Sequence, residues 1–271
     1  MASLFDRLFG SDRNGDATAT GLKRPRLAMP TSPAVAYCIG DVHGCLALLQ
    51  MMEEAIVADG AGFDGEKWIV LLGDVIDRGP RSAQVIDHLL TPPPAGFNRF
   101  CLAGNHEQGM LEFLEAPRRS TWWLEYGGME TLASYEIDAS EVREGRMSAT
   151  RLRHLLGSYV PEEHRQFLRG LPVAIETPDW ILVHAGLEPG RPLARQTDET
   201  LRWYRDDFAS RYDEWGKLVV HGHTPLDEVF VSPYRIDVDT GAVMSGRLSA
   251  VRLTPGASPV VMQVTAGRWS A

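Results

Sequence analysis

The sequence predicts an α/β fold in which two mixed β-sheets form a sandwich flanked by helices. Short apolar runs alternate with helical patterns over the first hundred residues, which is typical of parallel strands covered by helices. A β-rich stretch at 229–264, interrupted by turn residues, predicts further strands that we expect to form an antiparallel second sheet. Hydrophobic residues make up 44% of the 271 residues, enough for a sizeable core, which excludes a chain disordered throughout.

The first strand–helix unit follows a polar leader. Residues 1–33 form this leader, and the abundance of Gly, Asp, Thr, Arg and Pro in 11–33 is typical of a flexible segment. Residues 34–39 are an apolar run that predicts the first strand, and 45–58 carry apolar side chains at helical spacing. We therefore expect the folded domain to span 34–271.

Two more strand–helix units follow. Residues 68–72 predict a second buried strand, and the helix after it ends at a proline cluster. Residues 100–103 predict a third strand. From 108 to 170 the pattern becomes helical and includes Trp122, Trp123 and Tyr126, so we expect a helical insertion over the functional edge of the sheet.

Composition and charge narrow the possible functions. The formal net charge of −9 argues against nucleic acid as a partner. Three cysteines without a CxxC motif are typical of a reducing cytosol. No apolar run is long enough to cross a membrane, and no secretory signal pattern is present. We expect a cytoplasmic protein with no stable membrane insertion.

Polar side chains with metal-binding atoms follow the predicted strands. Because the carboxyl ends of strands in α/β sheets form one crevice, we expect these side chains to converge there. One such motif alone is more often a turn or a hydrogen-bonded structural residue, but five together need a cation to neutralise them. None is a thiolate, which disfavours structural zinc. The side chains are Asp41, His43, Asp74, Asp77, Arg78, Asn105, His106, His184, His221 and His223.

These motifs resemble the phosphoprotein phosphatase family of calcineurin-like metallophosphoesterases. The likeness is strongest to its bacterial branch, which includes bacteriophage lambda phosphatase and the symmetrical diadenosine tetraphosphate hydrolases. It covers roughly residues 34–253. The motifs are Gly40-Asp-Val-His-Gly44, Gly73-Asp-Val-Ile-Asp-Arg-Gly79, Gly104-Asn-His-Glu107, His184-Ala-Gly186, Leu201-Arg-Trp-Tyr-Arg-Asp206, Gly222-His-Thr-Pro225 and Ile236-Asp-Val-Asp-Thr-Gly-Ala242.

The resemblance implies a site for two divalent cations, with Mn²⁺ favoured and Fe or Zn as alternatives. Spacing alone does not choose between His221 and His223, but the family pattern Gly-His-Thr-Pro favours His223. Asp74 would bridge the two cations. The implied ligands are Asp41, His43 and Asp74 for the first cation, and Asp74, Asn105, His184 and His223 for the second.

The resemblance also implies roles for residues around the cations. Arg78 and Arg205 would bind the substrate phosphate together with Asn105. His106 would be the general acid, oriented by Asp77. Attack would come from a water molecule activated by metal.

Three functions agree with this site. A serine/threonine protein phosphatase is the main interpretation, so the expected partner is a phosphorylated protein. The alternative is a symmetrical bis(5'-nucleosyl)-tetraphosphate hydrolase, which acts on a nucleotide, and the third is a non-catalytic scaffold that binds phosphopeptides. Trp122, Trp123 and Tyr126 could stack a purine, but we favour core packing for them. The sequence does not predict an oligomeric state.

Overall fold

The structure, a computed structural model, describes residues 23–206 and 212–266, and in these ranges two β-sheets lie face to face. No helix in the described ranges is both long enough and apolar enough to span a membrane. The strands are β1 (Arg26–Ala28), β2 (Val35–Ile39), β3 (Lys67–Leu71), β4 (Phe97–Cys101), β5 (Ala174–Glu176), β6 (Trp180–Val183), β7 (Leu218–His221), β8 (Phe230–Val231), β9 (Arg235–Asp237), β10 (Arg247–Leu253) and β11 (Val260–Thr265).

The helices cover the sheets and connect their strands. Every regular element between residues 105 and 170, which include the predicted insertion, is helical. The α-helices are α1 (Leu46–Gly60), α2 (Ser82–Leu90), α3 (Asn105–Glu115), α4 (Met129–Ser134), α5 (Ser140–Arg143), α6 (Ala149–Tyr159), α7 (Glu162–Gly170), α8 (Asp198–Trp203) and α9 (Ala242–Ser245). A π-helical turn, Leu124–Gly128, runs directly into α4.

Both sheets are mixed. The first has the strand order β11-β10-β2-β3-β4, with β2, β3 and β4 parallel and β10 antiparallel to β2. The second has the order β1-β5-β6-β7-β9-β8, with β6, β7 and β9 parallel. The parallel strands at the centre of each sheet end at the same edge, where the candidate site lies.

Alternating side chains divide the core into two layers. Along β2, Ala36 and Cys38 belong to the cluster between the sheets, whereas Val35, Tyr37 and Ile39 belong to the cluster under the helices. Both faces of β2 are covered, so all five of its residues are buried. This explains why the first strand appears in the sequence as a continuous apolar run rather than an alternating one.

The prediction that 229–264 forms a sheet of its own is wrong. Strands β8 and β9 extend the second sheet, because β9 pairs in parallel with β7 (Val219 with Arg235). Strands β10 and β11 extend the first sheet, because β10 pairs antiparallel with β2 (Ala250 with Ile39). The chain crosses from one sheet to the other between β9 and β10, and strand propensity carries no information about that crossing.

The structure also differs from the predicted flexible leader. Strand β1 lies within 1–33, and Arg26 to Ala28 pair in parallel with β5. The Arg24 guanidinium donates through Nη1 to the carbonyl oxygens of Leu168 (2.9 Å) and Leu171 (3.0 Å) at the end of α7. The ordered fold therefore starts well before residue 34, while 1–22 lie outside the described residues.

Candidate metal centre

The strand ends of both sheets bring the six predicted metal ligands into one buried cluster. Two of them follow β2, one follows β3, one begins α3 just after β4, one follows β6 and one follows β7. None exposes more than 4% of its surface. The six are Asp41, His43, Asp74, Asn105, His184 and His223.

Asp74 lies at the middle of this cluster. Its Oδ2 is 3.2 Å from His184 Nε2, 3.8 Å from His106 Nε2 and 4.0 Å from His43 Nε2. Two groups of side chains could each hold an ion, with ligand atoms within 4.8 Å of one another, and both groups contain Asp74. The groups are His43, Asp74 and His106, and Asp74, His184 and His223.

The His184 side brings buried acceptor atoms close together. His184 Nδ1 lies 2.9 Å from the Leu72 carbonyl oxygen, which can only accept, so Nδ1 carries the proton. The lone pair of Nε2 then faces Asp74 Oδ2 and also Asn105 Oδ1, 3.1 Å away. His223 Nδ1 lies 3.2 Å from the same Nε2. Three of these atoms, Asp74 Oδ2, Asn105 Oδ1 and His184 Nε2, are acceptors, and buried acceptors that face one another need a positive charge between them, so the residues fit a metal ion.

The His43 side is built in the same way. His43 Nδ1 donates to the Ile76 carbonyl at 2.8 Å, which leaves the Nε2 lone pair facing Asp41 Oδ2 at 3.9 Å. Burial, followed by the charge of His106, lowers the pKa of His43 to about 3, so the ring is neutral. Burial and then the charge of Asp239 raise the pKa of Asp41 well above its usual range. A neutral imidazole beside carboxylates suits Mn, Fe or Zn.

Two guanidinium groups lie against these side chains. Arg78 approaches His43 Nε2 with Nη1 at 2.9 Å and His106 Nε2 with Nη2 at 3.1 Å. On the other side, Arg205 donates from Nε to His223 Nε2 at 3.0 Å. Both arginines therefore place planar donor groups beside the cluster, where an anion bound to it would be reached.

His106 and Asp77 form a buried pair next to the cluster. His106 Nδ1 donates to Asp77 Oδ2 at 2.7 Å, and Asp77 also accepts from Trp123 Nε1 (2.6 Å) and Thr131 Oγ1 (2.5 Å). Burial alone would lower the pKa of His106, but the charge of Asp74 and the bond to Asp77 outweigh it and raise that pKa. The helical segment after α3 thus supplies two of the groups that fix Asp77.

The structure distinguishes the roles of His221 and His223, which their spacing in the sequence does not. His221 is the last residue of β7, and its Nε2 accepts from Arg235 Nε at 2.8 Å while its Nδ1 donates to the Gly222 carbonyl. His223, two residues later, is the one whose ring nitrogen joins the cluster. Burial and the charge of Arg235 lower the pKa of His221 to about 3.

The sequence pattern does not indicate a role for two buried acidic residues of the site, Glu107 and Asp239. Glu107 accepts the backbone N–H groups of Gly104 (2.7 Å), Asp74 (2.9 Å) and Val75 (2.8 Å), and so ties the loops after β3 and β4 together. Its place three residues after Gly104, at the start of α3, is the signal that could have revealed it. Asp239 is also buried, and its charge acts on Asp41. Its position two residues after β9 is the corresponding signal.

Backbone strain is concentrated in this site. Six non-glycine residues in the described ranges have positive φ, and Glu136 is the only one outside the site. L-residues rarely adopt this conformation, so the surrounding hydrogen bonds must hold it. The five in the site are His43 (φ 44°), Asp74 (50°), Asp77 (72°), Arg78 (65°) and His223 (72°).

Buried carboxylate, imidazole and amide groups beside two arginines, at the strand ends of an α/β sandwich, suit a metal-dependent hydrolase of phosphate esters. The chain belongs to the calcineurin-like phosphoesterase family, whose sequence profile matches residues 35–246. This family depends on a dinuclear metal site, in agreement with the two groups that share Asp74.

Curated relatives carry a more specific name. A bis(5'-nucleosyl)-tetraphosphatase PrpE, described as asymmetrical, from Bacillus velezensis is 26% identical over 240 residues, which cover 79% of this chain and 87% of the relative. A protein of the same name from Oceanobacillus iheyensis is 27% identical over 238 residues, covering 79% and 86%.

Solved structures confirm the predicted fold of two mixed sheets flanked by helices. One, provisionally assigned as a diadenosine tetraphosphatase, has a TM-score of 0.62 at 22% identity and covers 89% of this chain and 99% of its own. A mutant of a cold-active protein tyrosine phosphatase has a TM-score of 0.57 at 19% identity and covers 88% and 82%. At these identities the likeness concerns the fold alone.

Proposed function

We propose that this protein hydrolyses bis(5'-nucleosyl) tetraphosphates with the help of two divalent cations. The observation that carries the proposal is the cluster around Asp74, whose buried acceptors face one another while Arg78 and Arg205 lie against them. The curated relatives support a dinucleotide substrate over a phosphorylated protein. The nucleotide interpretation therefore replaces serine/threonine protein phosphatase as the leading one.

The ligands fall into two sets that share Asp74. We assign Asp41, His43 and Asp74 to one cation, and Asp74, Asn105, His184 and His223 to the other. Two cations held there would supply Lewis acidity to the phosphoryl group and activate a water molecule. Of the three candidate metals, Mn²⁺ is the one we expect to give the highest activity, with Fe or Zn as alternatives.

The other residues act on the phosphate chain and on the leaving group. Arg78 and Arg205 bind non-bridging phosphate oxygens, and the Asn105 amide nitrogen adds a further donor. His106 donates a proton from Nε2 to the oxygen that leaves. The hydrogen bond of 2.7 Å from His106 Nδ1 to Asp77 keeps a proton on Nδ1, so His106 Nε2 is the nitrogen that faces the substrate.

The test compares two substrates with one preparation of the full chain. The protein is stripped with a chelator and reloaded with Mn²⁺, Fe²⁺ or Zn²⁺. Diadenosine tetraphosphate and a phosphothreonine peptide are then supplied, and the products are separated by anion exchange. We expect metal-dependent formation of AMP and ATP, which is the asymmetrical cleavage that the relatives' names describe.

Each other result points to a different function. Formation of ADP alone would establish the symmetrical hydrolase. Release of phosphate from the peptide with the dinucleotide intact would restore the protein phosphatase. Binding of the peptide without turnover of either substrate would identify the phosphopeptide scaffold.

A further inference from the structure

Three aromatic side chains form an exposed cluster beside the metal centre. Trp122 contacts Tyr126 at 5.7 Å and Trp203 at 6.1 Å between ring centroids. Tyr126 is 51% exposed and Trp203 39% exposed, while Trp122 is half-buried. We call these three residues the aromatic platform. Exposed aromatic side chains that are grouped together are a common feature of binding surfaces.

The platform is joined to the candidate site at one end through α8. The Trp203 ring meets the His223 ring edge-on, with centroids 6.0 Å apart. Trp203 is the last residue of α8, and Arg205, which donates to His223, follows two residues later. A ligand lying on Trp203 is therefore next to both a proposed metal ligand and a proposed phosphate-binding group.

The other end of the platform is joined to Arg78. Tyr126 precedes Gly127, whose carbonyl oxygen accepts the Arg78 backbone N–H at 3.1 Å. A Cβ at Gly127 would lie 2.5 Å from that nitrogen, so the two segments touch. The segment that carries Tyr126 therefore touches Arg78, while Trp203 lies two residues before Arg205.

Neighbouring tryptophans show which rings serve packing. Trp123 is fully buried and donates its indole N–H to Asp77, so the predicted core packing holds for Trp123 and in part for Trp122, which packs against the core, but not for the exposed Tyr126. Trp122 packs over α3, where a Cβ on Gly109 would come within 2.9 Å of its Cη2, and that close contact fixes the ring. Trp122 thus packs against the core with one part of its ring, whereas Tyr126 and Trp203 are exposed, so the platform is an aromatic surface anchored on the core.

We propose that the aromatic platform binds a nucleobase of the substrate and directs the attached phosphate chain toward Asp74. A nucleobase has a flat apolar face that stacks on aromatic rings, and its phosphates suit the arginines and cations at the end of the platform. This inference rests on the proposed function and names the groups that recognise the nucleoside. A phosphoserine or phosphothreonine side chain has no flat group next to its phosphate.

The test compares two ligands that carry the same phosphate. AMP has a base and ribose 5-phosphate has none, and both are titrated into the Mn²⁺-loaded full chain by calorimetry. We expect AMP to bind the wild type about tenfold more tightly or better, as stacking on aromatic side chains predicts. In Trp203→Leu and Tyr126→Ala the ratio of the two dissociation constants should fall toward one.

Controls separate the platform from fold and metal loading. Tyr234→Ala removes an exposed tyrosine that precedes β9, at the opposite end of the strands from the site, and should keep the wild-type ratio. Metal content and circular dichroism are measured for every variant. Tyr126 is the second test because, unlike Trp203, it is not in ring contact with His223.

The outcomes separate this inference from the proposed function. Equal binding of AMP and ribose 5-phosphate would contradict nucleobase binding by the platform, even if the dinucleotide is cleaved. A ratio of their dissociation constants that both variants leave unchanged would contradict it as well. A base-dependent ratio that both variants reduce would support it, even if the dinucleotide is not cleaved and the proposed function fails. A phosphothreonine peptide that binds more tightly than phosphothreonine and loses this advantage in the same variants would replace the base by a peptide.

Discussion

The metal-ligand cluster and the aromatic platform are neighbours that the fold builds in opposite ways. The cluster is at most 4% exposed, and His43 and His184 are held by hydrogen bonds to backbone carbonyls. The platform is in part open to solvent, and its rings come from α8 and from the segment before the π-helical turn and within it. The chemistry is thus set by strand ends, whereas substrate choice depends on helices laid beside them.

The largest effect is expected inside the cluster. In Asp74→Asn both cations would lose their shared charged ligand. Loss of turnover should therefore exceed the factor of about 10²–10⁴ that a general acid alone supplies. Metal analysis after dialysis should show less bound Mn²⁺. The exposed Asp64→Asn, just before β3 at the far end of the strands, is the matched control. A variant at position 74 with full activity would contradict the shared-ligand assignment.

For His106→Asn we expect a smaller loss of turnover, and one that depends on the leaving group of the substrate. This change removes the proton donor but no residue that we assign as a metal ligand. Turnover of an alkyl phosphate should fall by about 10²–10⁴, and turnover of p-nitrophenyl phosphate much less, because nitrophenolate leaves without a proton. Rates are measured with metal content held equal. Equal losses on the two esters would remove the general-acid role.

Gly127→Ala tests the contact between the aromatic platform and the metal-ligand cluster. The residue has φ +111°, and a Cβ there would lie 2.5 Å from the Arg78 nitrogen, so the chain must shift where the platform meets the site. We expect kcat/KM for the nucleotide substrate to fall about tenfold, the effect of roughly one lost charged hydrogen bond. Gly145→Ala is a matched control, since its φ is +70° but nothing lies within 4 Å. Equal losses in both variants would show that strain alone is responsible.

The smallest effect on catalysis is expected outside both regions. Removing residues 1–30 deletes β1 and the Arg24 hydrogen bonds, whereas removing 1–22 leaves them. The longer deletion should melt about 5 °C or more below the shorter one, while kcat per folded molecule is the same. Calorimetry and active-site titration measure the two quantities. Identical melting temperatures would show that β1 adds nothing to stability.

The contrast between the metal-ligand cluster and the aromatic platform also explains which features could be predicted from the sequence. Residues next to an apolar strand are placed by the strand, so Asp41, Asp74 and His184 could be located from the pattern of the chain alone. Trp122 and Trp123 are adjacent and chemically identical, yet one is on the platform and the other is bonded to Asp77. Their difference depends on how this segment packs against α3 and Asp77, which no local pattern contains.

Long-range pairing accounts for the remaining differences. Strand β1 is three residues long and pairs with β5, almost 150 positions further along the chain, so nothing near it predicts a strand. The division of 229–264 between two sheets has the same cause. Glu107 is part of the motif Gly104-Asn-His-Glu107, but its role depends on backbone N–H groups of another loop, those of Asp74 and Val75.

The left-handed backbone of the site bears on how this chain responds to selection. Each such residue costs roughly 1–2 kcal/mol, and glycine or asparagine would relieve part of that cost. A library chosen only for survival at high temperature should therefore accumulate these replacements at positions such as 74, 77 and 223, and its members should become robust and inactive together. If natural variants of this chain keep aspartate and histidine at such positions, selection for catalytic activity must maintain them, because selection for heat resistance alone favours their replacement.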